Sequence, residues 1–469
     1  MATTRSRLKR RRLSQPAPRT SRVPAAQPSK LLPLGAMLLA ASFATSVRAQ
    51  TENTLNTVTV REKAEVTEGK DSLRATETNI GKGQQKLRDI PQSITVVTER
   101  MMDDRNLDTV KDALKQTAGI TFQAAEGGEE DIRLRGFALS TTGDIFVDGI
   151  RDPAFYDRDT FNLDRVELLR GSASMLFGRG STGGAVNMVN KVPRLMDENQ
   201  IDMTVGSHNH RRVVGDFNQQ TGESSALRVS AMKTTADNNG AGSSLDKQGI
   251  AGSYRWGIGE RDEFTASLYH LETDGRPLYS HPWMVSNGTS TNAGPRDSGA
   301  NTSGTLVPVL NAQNFYGMAS DHLRTETNHG TLAHKHRFDQ DSELKTTVRM
   351  GSYSRDLLGT QVGFKSLTQL SDLNDSTVLK RSPKARFGDS DVLQAQSDYS
   401  SKFKALGLQH SLIAGLDFNH ENARRNNSAT AGLPTPYADT LVGTPNNGVG
   451  ITDSRVLAPT MSFKSQNLG

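Results

Sequence analysis

From about residue 197 onward, apolar and polar positions alternate in segments of roughly ten residues. Ile201/Met203/Val205, Leu227/Val229/Ala231 and Leu412/Ala414/Leu416/Phe418 show the pattern best. A period of two places one class of side chain on each face of a strand, so the pattern predicts antiparallel hairpins. Tight Gly, Asn or Asp turns separate several segments, whereas one connection runs from Thr273 to about Asn328. Upstream the pattern is different. "QSITVVT" (92–98) reads as a strand after Pro91. "NLDTVKDALKQTAGI" reads as a helix with Leu107, Val110, Ala113 and Leu114 on one face, Asn106 as its cap and Gly119 closing it. "DIRLRGF", "GDIFVDGI" and "DRVELLRG" read as three short strands. The predicted fold class is α+β followed by all-β antiparallel. Short turns at one end and long loops at the other describe a transmembrane barrel, with a soluble sandwich or propeller as the alternative.

Charge changes the picture only at the start of the chain. The net charge is +5, but residues 1–49 hold ten Lys and Arg and no acid, so the remainder is mildly acidic. This excludes a nucleic-acid partner as the meaning of the basic balance. The leader runs from a basic stretch into "LLPLGAMLLAASFA" (31–44) and small residues before Ala49, the order of a secretory signal peptide over 1–49. The absence of cysteine excludes a disulfide framework and thiolate chemistry.

Candidate chemistry is sparse. Gly178, Gly180 and Gly183 spell G-x-G-x-x-G, the spacing of a dinucleotide loop. Such a loop needs a helix after it, whereas "AVNMVNKVP" reads as a strand, so a nucleotide cofactor is not expected. Gly171, Gly178, Gly180, Gly183 and Gly184 are read instead as structural glycines that permit tight turns and close backbone packing. His208 and His210 flank an Asn, and His334 and His336 share one strand face. Either pair has metal-ligand chemistry, but the ordinary reading is exposed histidine, and no metal site is expected. "HENAR" at His420 lacks a second histidine. No catalytic constellation stands out, so the chain is not expected to be an enzyme.

The segments "DIPQSITVVTERMMDDRNLDTVKDALKQTAGITF", "IRLRGF", "IFVDGIRD" and "NLDRVELLRGSASMLFGRGSTGGAVNMVNKVP", in that order, resemble the plug domain of TonB-dependent outer-membrane siderophore receptors. The section from Tyr156 to Gly184 is most similar to the ferric-catecholate branch. The resemblance implies a flexible segment over 50–88, a plug over 89–195 and a partial transmembrane β-barrel over 196–469. Asn56, Thr57, Val58, Thr59 and Val60 resemble a TonB box, the β-prone patch that TonB of the inner-membrane energy-transducing complex captures by strand addition. Arg135, Glu167 and Arg170 match charged plug positions and are expected to pair with the barrel wall. Phe155, Tyr156 and Arg158 correspond to a plug apex, where they could stack on and neutralise an anionic aromatic chelate. The implied function is active uptake of a ferric siderophore across the outer membrane of a Gram-negative bacterium. Iron would arrive as substrate rather than cofactor, and outer-membrane lipid would surround the wall. The alternative is a passive outer-membrane channel or surface-binding β protein without energy coupling.

One departure stands out. The family barrel has about 22 strands, and the residues from Arg194 to Gly469 supply roughly nine to twelve strands of membrane-spanning length, about half of it. The sequence is therefore expected to be a truncated or frame-interrupted receptor.

Overall fold

Two kinds of sheet, built by different residue patterns, divide the chain. The computed structural model describes residues 4–7, 68–78, 80, 85–123, 130–139, 143–153, 156–172, 183–237, 242–277, 281–285, 306–367, 370–426, 430–434, 436–455 and 460–469. These all belong to one compact unit. Most of the expected signal segment (residues 1–3 and 8–49), the expected TonB-box patch Asn56 to Val60, and Phe155, Gly178 and Gly180 lie outside the described residues.

The first region contains β1 (Ser93–Thr98), α1 (Glu99–Asp104), α2 (Val110–Lys115), β2 (Ile120–Gln123), β3 (Asp131–Leu134), β4 (Ile145–Val147), β5 (Leu163–Arg170) and β6 (Gly184–Asn190). β5 lies between β1 and β6, antiparallel to both, and β6 continues parallel to β4. β5 is buried along most of its length, so its run of Leu and Val packs on both faces. Val166, Leu168, Val186 and Met188 meet Val110, Ala113 and Leu114 of α2 in one apolar core. Threonines start both helices. The Thr98 hydroxyl accepts from the Met101 amide (3.3 Å), and that of Thr109 accepts from the Asp112 amide (3.1 Å). Asn106, the expected cap, instead has φ +50° between the helices, three residues before the true cap. Gly119 does sit in the left-handed region after α2, at φ +81°. Gly183 and Gly184 lead directly into strand β6, so the glycine motif opens no helix.

The second region is a wall of long strands: β7 (Glu198–Val205), β8 (Arg211–Gly222), β9 (Ser225–Ala236), β10 (Ser244–Trp256), β11 (Asp262–Arg276), β12 (His322–Arg337), β13 (Ser342–Phe364), β14 (Val378–Ala405), β15 (Leu408–Asn426) and β16 (Met461–Leu468). Each pairs antiparallel with the next in chain order. The sheet has twelve strands, the other two being the short Thr4–Arg7 on β7 and Thr440–Leu441 on β14. Connections at one end are brief (223–224, 257–261, 338–341, 406–407). Those at the other end include 277–321 and 427–460. The longest is shorter than the alternation suggested, because the ladder between β11 and β12 continues to Gly275 and Leu323.

The wall is inside-out relative to a soluble sheet. On β9, Arg228, Ser230 and Thr234 are buried while Leu227 on the opposite face is exposed. Asp202, Arg212, Asp216 and Lys247 are likewise buried, whereas Ile201, Met203, Val213, Phe217, Ile250 and Leu268 face outward. Polar-in and apolar-out alternation is what a bilayer selects. At the short-turn end, rings on the outer face touch in series: Tyr254–Trp256, Trp256–Phe264 and Phe264–His334, with centroids 5.8, 5.2 and 4.4 Å apart. The row continues through His336 to Phe338 and Tyr399. An aromatic belt of this kind marks the height where a bilayer meets water.

Candidate functional site

Acids on the first region meet bases on the inner face of the wall. After the sheet of β1, β5, β6 and β4, to which Ile150–Arg151 adds a short fifth strand, come Asp152, Asp157 and Asp159, which meet strands β13, β10 and β8. Asp159 takes a bidentate pair from Arg212 of β8 (2.6 and 3.0 Å). Asp157 accepts from Lys247 of β10 at 2.8 Å. Asp108 adds a second carboxylate to Arg212, 3.3 Å from its Nε. Asp148 faces Arg349 of β13 at 3.7 Å. The Asp152 carboxylate accepts from the Tyr353 hydroxyl of β13 (3.0 Å), and Gln394 of β14 donates to the Arg151 carbonyl (2.8 Å). The polarity reverses at two places: Lys191, just after β6, bridges Glu99 (3.0 Å) and the wall's Asp216 (3.1 Å), and Lys70 reaches Glu198 of β7 (2.8 Å).

Arg158 organises the centre of this junction. Its side chain is 3% exposed and donates to Glu130 (2.7 Å), to Asp152 (2.6 and 2.9 Å) and to the Pro153 carbonyl (2.7 Å). Tyr156 donates to the same Asp152 oxygen at 2.8 Å and lies under the Arg158 guanidinium. Two acids thus share one buried cation. Burial pushes Glu130 upward and Arg158 only partly opposes it, leaving its pKa at about 7. Burial acts upward on Asp152 too, but Arg158 and Arg349 outweigh it and hold the carboxyl below its usual range.

Apolar contact at the junction is limited but specific. Tyr156 and Phe161 pack with Met232, Ala251, Leu271, Tyr353 and Val392 of the wall. Phe161 stacks on Tyr269, with centroids 5.7 Å apart. Gly249 makes room for that ring, since a Cβ there would lie 2.9 Å from it. Between α1 and strands β7 and β8 is a cavity of ≈ 40 Å³ lined by Glu99, Asp103, Asp108, Lys191, Asp202 and Asp216. It has room for water but is far below the ~300 Å³ at which small-molecule pockets begin.

Several expectations need correction. Among the described residues, Arg135, Glu167 and Arg170 do not make the expected ion pairs with the wall. Arg135 is exposed at φ +53°. Glu167 is buried in β5, accepting from Arg165 (2.9 Å) and Asn187 (2.8 Å). Arg170 donates to Thr95 (2.7 Å) and the Ala118 carbonyl (2.9 Å) of its own region. Tyr156 and Arg158 are buried in the junction, so their groups are engaged by Asp152 and Glu130 instead of facing a chelate. The wall-contacting acids went unread because their partners lie as far as 201 residues away, as with Asp152 and Tyr353. A usable signal existed in the acid-rich "RDPAFYDRDTF" and in bases on the polar face of alternating strands. For the glycines, Gly184 has φ +137°, and a Cβ there would collide with the Leu169 carbonyl, while one on Gly183 would meet the Leu134 carbonyl. Gly171 has φ +107°.

Comparison with known proteins places this architecture. Residues 86–185 match the TonB-dependent Receptor Plug Domain family. The catecholate siderophore receptor Fiu of Escherichia coli (strain K12) is 29% identical over 352 residues, covering 71% of this chain and 44% of the relative. The probable TonB-dependent siderophore receptor PiuA of Acinetobacter baumannii is 27% identical, over 75% of this chain and 46% of the relative. The chain thus spans somewhat less than half the length of these curated relatives. The closed-form crystal structure of E. coli Fiu superposes with a TM-score of 0.69 at 24% identity, over 80% of this chain and 53% of that one.

Proposed function

We propose that this chain, a TonB-dependent siderophore receptor plug joined to part of the family's barrel wall, serves energy-coupled uptake of a ferric siderophore of the catecholate class across the outer membrane of a Gram-negative bacterium. The observation that carries this reading is the junction of plug acids with wall bases, set against the apolar interior of the plug. Charged groups separated from one another regain hydration, whereas an apolar core separated from itself gains nothing in return. A plug held by Asp152, Asp157 and Asp159 can therefore detach or shift as a unit while its own core of Leu and Val stays folded. That is the mechanical requirement of a gate drawn from below.

In this reading TonB pairs with the strand-prone patch Asn56 to Val60, and force reaches the junction through β1, the first strand of the plug sheet. The chelate binds at the end of the wall that carries the long connections; the cavity between α1, β7 and β8 is too small for it. Phe155 is the residue we propose for chelate contact. Tyr156 and Arg158 act from within the junction, where both engage Asp152. The name of Fiu and the similarity of the Tyr156–Gly184 section favour an anionic catecholate chelate over other classes.

Uptake of radiolabelled iron as a catecholate complex tests the proposal in cells carrying the natural gene product. Transport that is lost both without TonB and on deletion of residues 56–60, with surface binding retained, supports it. Transport indifferent to both changes supports the passive-channel reading instead.

A further inference from the structure

We propose that Asp262, His334 and His336 form a binding site for a divalent transition-metal cation such as Zn²⁺, Ni²⁺ or Cu²⁺ on the outer face of the wall, at its short-turn end. The inference rests on the wall's own geometry and is independent of what the receptor transports. His334 and His336 stand two apart on β12, so both rings emerge on one face of the strand. It is the outward face, the one that also carries the exposed Leu332. Asp262, the first residue of β11, is the direct cross-strand partner of His336, and Phe264 is the partner of His334. Three ligands of borderline character, two imidazole nitrogens and a carboxylate oxygen, therefore meet from two strands whose register is fixed along a long ladder.

The distances fit one shared ion. His334 Nε2 lies 2.8 Å and His336 Nδ1 2.6 Å from the same Asp262 oxygen, and all three candidate ligand atoms fall within 4.8 Å of one another. Ligands held at about 2.1 Å from a tetrahedral ion stand roughly 3.4 Å apart, so the two nitrogen–oxygen contacts open by less than about 1 Å to admit the metal. The rings are already oriented. Phe264 stacks flat on His334, with planes 8° apart, and Phe338 meets His336 edge-on with centroids 4.7 Å apart. The site is only partly shielded, with Asp262 46% and His334 40% exposed, so an ion has access and water can complete its coordination. The family's uptake chemistry has no use for it there, on the outside of the wall. Its effect is to staple β11 to β12 at the level of the aromatic belt.

The test is titration of the detergent-extracted protein with Cu²⁺, followed by electron paramagnetic resonance, alongside the His334→Asn/His336→Asn double variant and Asp262→Asn. The proposal predicts one equivalent bound with hyperfine structure from two nitrogens. It also predicts affinity in the double variant falling by more than the roughly 10–100-fold that loss of a partner behind a metal ligand costs. Asp262→Asn should keep the two-nitrogen signature but bind more weakly. Far-ultraviolet circular dichroism and heat-modifiable gel migration establish that each variant is folded. A folded double variant that binds Cu²⁺ as the parent does overturns the site. So does a parent whose bound Cu²⁺ shows no nitrogen coupling, which leaves the cluster as a hydrogen-bonded His–Asp–His group.

Discussion

Replacing Arg158 by Met removes the one cation shared by Glu130 and Asp152 while keeping an unbranched apolar stem. Four donor contacts of 2.6 to 2.9 Å disappear, three of them to carboxylates that stay buried. The Arg158 amide still donates to Glu130 (2.7 Å), and Tyr156 and Tyr353 still donate to Asp152, so the acids are weakened rather than abandoned. Breaking a buried pair costs about 3–5 kcal/mol, a large share of the ~5–15 kcal/mol that holds a typical domain together. Read by hydrogen exchange in the amides of β5 and β6, that loss corresponds to exchange faster by about two to three and a half powers of ten if they open by plug unfolding.

The pH dependence carries the sign. Asp152 is held below its usual range in the parent, so its contribution is present above the ordinary carboxylate pKa and is lost as pH falls through the lowered value. Glu130 runs the other way: its folded pKa of about 7 exceeds the ordinary glutamate value of 4.5, so its contribution is fully present below 4.5 and fades as pH rises through 7. Without Arg158 both acids shift upward and take protons more readily. The penalty of the substitution is therefore largest near neutrality and shrinks toward pH 5. A change in exchange of less than about tenfold, or a penalty that is flat with pH, would refute the reasoning that this cation holds the junction.

Other substitutions probe neighbouring parts. Asp216→Asn leaves Arg228 and Lys191 without their shared carboxylate, and should lower the urea midpoint of plug release more than it alters wall melting. Gly184→Ala forces a side chain into φ +137° against the Leu169 carbonyl; a loss of about 1–3 kcal/mol in denaturant unfolding is expected from strain alone. Leu268→Arg places a charge at the middle of the outward face of β11 and should cost about 2–4 kcal/mol in a bilayer folding assay. A cost near zero in the bilayer assay would argue against lipid contact.

How much was legible in the sequence depended on the range of the interaction. Strand β5 and the antiparallel wall were readable because local alternation and β-branched runs are local signals. The helix α2 was recognisable from Val110, Ala113 and Leu114, but its start was misplaced, because Asn106 and Thr109 are both capping residues and only the backbone path chooses between them. Helix α1 went unread: "ERMMDD" carries too few apolar positions to show a period, and its identity depends on the Thr98 cap and on Met102 reaching the core. The junction was the least legible part. Whether Arg158 faces a ligand or two buried acids depends on Glu130, 28 residues away, and whether Asp157 is free depends on Lys247. The cross-strand meeting of Asp262 with His334 and His336 depends in the same way on register rather than on spacing.

The central structural claim is that the wall is inside-out, with lipid on one face and the plug on the other. The lack of native cysteine permits a direct measurement: single cysteines at Leu227, Val229, Ser230 and Thr234 of β9, labelled in native outer membranes with a fluorophore whose emission is quenched by lipid-borne nitroxides. The account predicts strong quenching at 227 and 229, and little at 230 and 234, which face the plug side. Equal quenching along the strand, or ready aqueous labelling at all four positions, would contradict it.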